Sequence, residues 1–229
     1  MHFGTERCNL SDAAPELPEG LAEFVQDDRL SHRAGAAAQR VQLALYRLIA
    51  AGLPVDRDGL ALAVGHDPVE VADMLAAIPA ANFLYDSGGR IVGFRGLGQV
   101  PTRHHLGFAG QRLFAWCAFD CLFLAELLGG AVEVASACPA SGAEIRLTVT
   151  PEGVAAAGPE STVLSFVTPE AAGLRAGLRE VFCAKIHFFA GPEPAEAWRA
   201  NHPDASILTL DQGFELARLR NAAGFGAVL

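Results

Sequence analysis

The run LFAWCAFDCLFLAELLGGAVEVASA, residues 113–137, constrains this chain more than any other feature. A stretch this apolar has to leave water, either in a protein core or in a bilayer, and what interrupts it decides which. Asp120, Glu126 and Glu133 fall inside it, each costly in hydrocarbon and none spaced for a spanning helix. The run is therefore read as core, and no membrane partner is expected. With 229 residues, 51% of them hydrophobic, the chain is long enough to close one medium core or two small ones.

Asp120 is the informative interruption. A buried carboxylate is costly unless it is paired, protonated or used. Read as one helix, RLFAWCAFDCLFLAELLG (112–129) puts Cys117, Asp120 and Cys121 at i, i+3 and i+4 on a single face, among Phe114, Trp116, Phe119, Leu122 and Phe123. Desolvation would raise the Asp120 pKa and let the acid hold a proton near neutrality. A neighbouring thiol could release its own proton when a soft metal takes the sulfur, which couples metal capture to acid catalysis. Plain packing accounts for the same residues: a cysteine in an apolar helix is a small hydrophobe, Asp120 could cap an element or pair with an arginine, and Cys121 reads as a passive thiol.

The remaining cysteines are Cys8, Cys138 and Cys183. There is no CxxC and no Cys/His cluster with zinc spacing, so five scattered thiols point to a reducing compartment. The first residues carry acids and lack an apolar segment of signal-peptide length, so a cytoplasmic protein is expected. Cys138 precedes Pro139 at a turn and reads as structural. Cys183 lies in REVFCAKIHFFAG, where a helix hands over to a strand, at a site rim or simply packed; His187 reads as a core or hydrogen-bonding residue.

The rest of the chain predicts an α+β protein: an N-terminal arm (1–35), a winged-helix-like helical domain (36–95) and a catalytic domain of small antiparallel or mixed sheets with surrounding helices (96–229). The first helix is AAAQRVQLALYRLIAAG, and RDGLALAVG forms a short second. DPVEVADMLAAI follows, with Asp67 as cap and Pro68 at the first helical position, and NFLYDSGGRIVGF folds as a hairpin. GLGQVPTRHHLGFA (96–109) reads as a linker whose adjacent His104 and His105 point apart. VEVASA, EIRLTVT, TVLSFVT, AKIHFFA and SILTL read as strands; EAAGLRAGLREVF, EPAEAWRANHP and DQGFELARLRNAAG read as helices. Winged helices often read DNA, but the third helix here carries Asp67, Glu70 and Asp73 and no basic residue. With a net charge of -9, no nucleic-acid partner is expected. The nucleotide-binding and common hydrolase motifs are missing too.

Several segments together resemble the organomercurial lyase family, also called the alkylmercury lyases. AWCAFDCLF resembles the family's WCAxDxLxF segment, ACPASGAEIRLTV its cysteine-containing turn and strand, and REVFCAKIHFFAG its second active-site segment. AEAWRANHP and the stretch from RVQLALYRLIAAG to GRIVGF are also similar, so the likeness spans about residues 35–220. It implies cleavage of the carbon–mercury bond of alkyl- and arylmercury compounds to a hydrocarbon and Hg(II). Cys117, Asp120 and Cys183 fall on the reacting residues that hold the mercury, with Cys117 expected to bind it first, and Cys138 on the structural cysteine. It also implies no organic cofactor, mercury entering as part of the substrate, and small thiols or a mercuric reductase accepting the Hg(II). Cys121 stands where a threonine is frequent and Ala184 where some members have cysteine. The competing expectation is a non-enzymatic soft-metal-binding or mercury-sensing regulatory protein.

Overall fold

The computed structural model describes residues 14–27, 34–168 and 178–229. Cys8 and most of the segment expected as the helix EAAGLRAGLREVF lie outside them. The architecture is α+β, as the pattern predicts: an N-terminal helical region followed by antiparallel sheets and helices. Among the described residues no helix is long and apolar enough to cross a membrane.

Helix α1 (Leu21–Gln26) precedes the three-helix unit α2 (Ala36–Ala50), α3 (Arg57–Val64) and α4 (Pro68–Ala76). Both short helices begin at an aspartate whose side chain accepts a backbone N–H, Asp56 from Gly59 and Asp67 from Val69. Each such cap satisfies a donor that the first helical turn leaves open. The hairpin follows as β1 (Phe83–Tyr85) and β2 (Ile91–Phe94).

The hairpin does not end its sheet. Strands β3 (Leu97–Gly98), β4 (His104–Phe108), β5 (Gln111–Ala115), β6 (Val132–Ala137), β7 (Glu144–Thr150) and β8 (Gly153–Gly158) extend it into one antiparallel sheet of order β1-β2-β3-β5-β4-β6-β7-β8. A second sheet, β10-β9-β11, is formed by β9 (Val163–Val167), β10 (Phe188–Phe189) and β11 (Ala205–Thr209).

Three local expectations change. The linker 96–109 carries β3 and β4, because its backbone groups pair with β2, β5 and β6. His104 is buried against Ser136 and His105 is exposed, so the two side chains do point apart. The helix expected from 112 is a strand up to Ala115, and α5 spans only Ala118–Leu128. Of AKIHFFA only Phe188–Phe189 is strand; Cys183–Lys185 form a single 3₁₀ turn.

α5 is the centre of the molecule. Every residue in it except Glu126 is buried, which makes it apolar all round, as a helix enclosed by its own protein must be. It packs on α2, on the sheets and on the terminal helix α8 (Leu210–Phe225). At Gly213 of α8 an added Cβ would lie 2.8 Å from Leu164 and 2.9 Å from Leu122, so the two helices meet where no side chain fits. α1 closes the far side: Phe24 packs edge-on to Phe166 at 6.1 Å and beside Phe182 at 6.0 Å.

A buried polar contact at the Tyr46 hydroxyl braces the N-terminal unit, and Arg220 of α8 reaches the same hydroxyl from the core at 3.4 Å. Tyr46 of α2, fully buried, donates its hydroxyl to the Arg95 carbonyl at 2.8 Å. Tyr46→Phe should lower the unfolding free energy by about 1–2 kcal/mol, because the carbonyl keeps its burial and loses its donor. Urea denaturation at constant m-value measures this, and an unchanged midpoint would show the bond to be inconsequential.

Candidate active site

The site is built where β5 hands over to α5. Trp116 leaves the strand, Cys117 has extended backbone and serves as the N-cap of α5, and Asp120 is the third helical residue. The two form a reciprocal capping pair. The Asp120 Oδ2 accepts the Cys117 N–H at 2.8 Å, while the Asp120 N–H faces the Cys117 sulfur. The i, i+3 spacing read in the sequence thus survives, but for a different reason: it is a capping spacing, with Cys117 ahead of the helix rather than inside it.

Cys183 reaches the same point from the 3₁₀ turn after helix α6 (Leu178–Val181). The Cys117 and Cys183 sulfurs and an Asp120 carboxylate oxygen all lie within 4.8 Å of one another. Three hydrogen bonds hold the turn against α5 and β9. The Ala118 N–H donates to the Ile186 carbonyl at 3.3 Å, and buried Ser165 of β9 donates its hydroxyl to the Lys185 carbonyl at 2.8 Å while accepting the His187 N–H at 3.0 Å.

Cys121 does not join the cluster. Its thiol turns back along the helix to the Cys117 carbonyl at 3.5 Å, as an i+4 side chain with a weak donor does. Cys138 is buried at the turn after β6, whose backbone closes through Cys138 N–H to Ala143 and Gly142 N–H to Cys138, in agreement with a structural reading. His187 is half-buried, with its ring edge-on to Trp198 at 5.7 Å, and burial lowers its pKa to about 4. His104 is likewise pushed down to about 3 by burial, so both rings are neutral at physiological pH.

Burial dominates the electrostatics. It raises the Asp120 pKa to about 6, against the pull of the Cys117 thiol and N–H, the Arg220 charge and the Trp116 backbone. Burial also drives the Cys117 thiol well above its usual range, helped by its hydrogen bond to Cys183 and by the Asp120 charge. For Cys183 the largest influence is that same hydrogen bond, which lowers it; burial and Asp120 outweigh this, and the thiol still lies above the usual range. At rest the site is two neutral thiols beside a carboxylate poised near neutrality.

Three residues that the sequence did not single out complete the arrangement. Gly96 has φ +102°, and a Cβ there would sit 2.6 Å from Asp120 Oδ1 and 2.9 Å from the Phe123 ring, so only glycine leaves room for the carboxylate. Arg220 of α8 is buried with its guanidinium 4.0 Å from the Phe123 ring centre, and bonds Asn221 at 2.8 Å. Ser165 braces the Cys183 turn. Its only signal in the sequence is a hydroxyl in the middle of the apolar strand TVLSFVT.

Cys183 borders two cavities. A small one of about 30 Å³ is lined by Arg95, Gly96, Phe119, Asp120, Phe123, Phe182 and Arg220. A larger, open one lies on the other side, against Arg103, His104, Arg179 and His187. Trp116 contributes to both walls and Cys117 to neither.

Two soft sulfurs and an acid, buried together at the edge of an aromatic cavity, define a protein suited to holding a soft metal next to a proton donor. The comparisons make this specific. The alkylmercury lyase family model matches residues 97–220. An alkylmercury lyase of Streptomyces lividans is 41% identical over 186 residues, covering 80% of this chain and 84% of that one. One from Staphylococcus epidermidis is 38% identical over 174 residues, covering 76% and 78%. The crystal structure of the mercury-bound form of MerB2 superposes with a TM-score of 0.72 at 26% identity, over 89% of this chain and 98% of that one. The chain belongs to the alkylmercury lyase family.

Two outcomes follow from the geometry. Because the folded pKa of Asp120 lies above the ordinary 3.8, its contribution to stability is fully present below about pH 4 and lost as pH rises through about 6. Asp120→Asn should therefore be more stable than the native protein above pH 7, by up to about 3 kcal/mol, with the difference vanishing towards pH 4. Denaturation at several pH values reads this, and a pH-independent difference would contradict it. Gly96→Ala should destabilise by about 2 kcal/mol or more and displace the carboxylate, visible as lower thermal stability and weaker Hg(II) binding.

Proposed function

We propose that the protein is an organomercurial lyase that cleaves alkyl- and arylmercury compounds by protonolysis, with Cys117, Cys183 and Asp120 as the reacting groups. The observation that carries this reading is the convergence of two thiols and a carboxylate raised to about 6 within 4.8 Å. Family membership supplies the reaction class.

The chemistry proceeds in balanced steps. A first cysteine sulfur bonds to the mercury of R–Hg–X, and its proton leaves with X. The second thiol then bonds to the mercury and passes its proton to the Asp120 carboxylate. Two sulfur donors increase electron density on the carbon, and Asp120 returns that proton to it. R–H forms, the carbon–mercury bond breaks, and Hg(II) stays between the two sulfurs with Asp120 ionised again. A carboxyl group with a pKa of about 6 suits both halves of this cycle, since it accepts and releases a proton near neutral pH. The neutral resting thiols need no prior ionisation, because a soft metal displaces the proton itself.

Exposure favours Cys183 as the first sulfur, in place of the Cys117 expected from the family likeness. Cys183 is 7% exposed and borders both cavities, whereas Cys117 is fully buried and borders neither. The aromatic walls at Phe119, Phe123 and Phe182 match an alkyl or aryl group in polarity; the space between them is about 30 Å³, so these rings shift to admit it and then keep water from the carbon being protonated. No organic cofactor enters this scheme. Mercury is substrate and product, small thiols or a mercuric reductase receive it, and the site belongs in a reducing cytoplasm.

The test is anaerobic incubation with phenylmercury and excess small thiol, reading benzene. The native protein should release it catalytically, and Cys117→Ser, Cys183→Ser and Asp120→Asn should each reduce release by at least about a hundredfold. Asp120→Asn should retain phenylmercury on the protein. In stopped-flow capture, Cys183→Ser should slow binding more than Cys117→Ser. Stoichiometric mercury binding without benzene would replace the lyase by a metal-binding regulator.

A further inference from the structure

The two cavities that meet at Cys183 differ in chemistry. The inner one is aromatic and small, about 30 Å³, and sets Asp120 against Arg95 and Arg220. The outer one is about 460 Å³, open to solvent, and lined among the described residues by two arginines and no acid, on a chain of net charge -9. Arg103 is exposed and has no acidic side chain within ion-pair distance among the described residues. Arg179 lines the same cavity, its guanidinium 5.1 Å from the Trp116 ring centre. Two wall residues also have buried nitrogens with no hydrogen-bond partner, the Trp116 Nε1 and the His187 Nδ1. A concave space of this size, with converging cations and unused polar atoms, has the features of a small-molecule anion site.

We infer that the outer cavity docks the acceptor thiol that withdraws Hg(II), and that Arg103 with Arg179 selects acceptors bearing carboxylates. This rests on the lyase reading of the same site. The incoming thiol gives its proton to a cysteine sulfur as its own sulfur bonds to mercury and the Hg–S bond to Cys183 breaks. A second thiol frees Cys117 in the same way, so Hg(SR)₂ leaves and both cysteines end protonated. The outer cavity is the side from which a sulfur can approach a mercury held at Cys183, because the inner one has only about 30 Å³ of free space. Positive charge there raises the local concentration of an anionic thiol and assists its ionisation. The volume accommodates an acceptor of several residues or a small dicarboxylic thiol, and is too narrow for a folded domain.

The test loads the full chain directly with HgCl₂, so it does not depend on carbon–mercury cleavage. Withdrawal is followed as the mercury left on the protein after rapid desalting at set times, on mixing with mercaptosuccinate, neutral 2-mercaptoethanol or cationic cysteamine at equal thiolate concentration. The native protein should react fastest with mercaptosuccinate. Arg103→Glu should lower that rate about tenfold and weaken its salt dependence, leave mercaptoethanol within about twofold, and raise the cysteamine rate. Arg103→Gln should fall between the two. Equal slowing with all three thiols would reduce Arg103 to a structural residue, and no slowing would remove the outer cavity from the exit route; either overturns the inference. If loaded protein shows the expected selectivity but phenylmercury yields no benzene, the lyase reading fails on its own.

Discussion

Asp120 ionises inside a core, and much of the structure around it makes that possible. Its carboxylate accepts the Cys117 N–H at the start of α5, which ties the acid to the one helix that is buried almost all round. A helix start leaves N–H groups open that a carboxylate satisfies, and the positive end of the helix dipole favours its charge. Gly96 leaves the space, and Arg220 supplies a counter-charge from α8 without displacing the acid from Cys117. Burial still outweighs these favourable contacts, which leaves the pKa near 6 rather than at the ordinary carboxylate value. The functional value of the group lies in that imbalance: full compensation would give a permanent anion, and none would give a permanent acid.

Parts of this were legible in the sequence. Asp67–Pro68 announces α4 because the cap is local, and Val132–Ala137 alternates plainly because only one face of β6 is buried. The strand at Gln111–Ala115 was not legible. Leu113, Phe114 and Ala115 are all buried, so the apolar run has neither a period of two nor one of 3.6, and it merges with α5 behind it. GVAAAG in β8 lacks the β-branched and aromatic residues that mark strands and is strand only because it pairs with β7. Asp120 drew attention by its cost in an apolar run. Cys183 carried only the weaker sign of a helix-to-strand junction, since its meeting with Cys117 is a tertiary fact, and the family likeness singled it out. Gly96 and Arg220 matter through contacts that no spacing encodes.

The two cysteines are held in unequal ways. Cys117 is fixed by a helix cap in the most enclosed part of the core, while Cys183 sits on one turn of 3₁₀ helix secured by Ala118 and Ser165. A 3₁₀ turn makes few hydrogen bonds of its own, so the position of Cys183 depends on the bonds others make to it. Ser165 contributes two of these from a central strand, which explains a fully buried hydroxyl among Leu164, Phe166 and Val167. Its loss would leave the Lys185 carbonyl and the His187 N–H without their side-chain partner and would loosen the outer sulfur before the inner one.

That inequality bears on how a site can bind a soft metal tightly and still give it up. Two equivalent, sealed sulfurs would retain Hg(II), because thiolate exchange needs an incoming sulfur to reach the metal before an outgoing one departs. With Cys117 enclosed and Cys183 at the boundary of the open cavity, attack comes from one side and the outer Hg–S bond is the first to exchange. In the proposed reaction the inner side takes the organic group, next to Asp120, the one carboxylate that lines it among the described residues. On the proposed scheme proton delivery and metal release then use two different cavities that share Cys183. A mutation that opens the aromatic cavity to water would then compromise protonolysis without easing release, whereas one that alters the outer wall would act on release with the acid still in place.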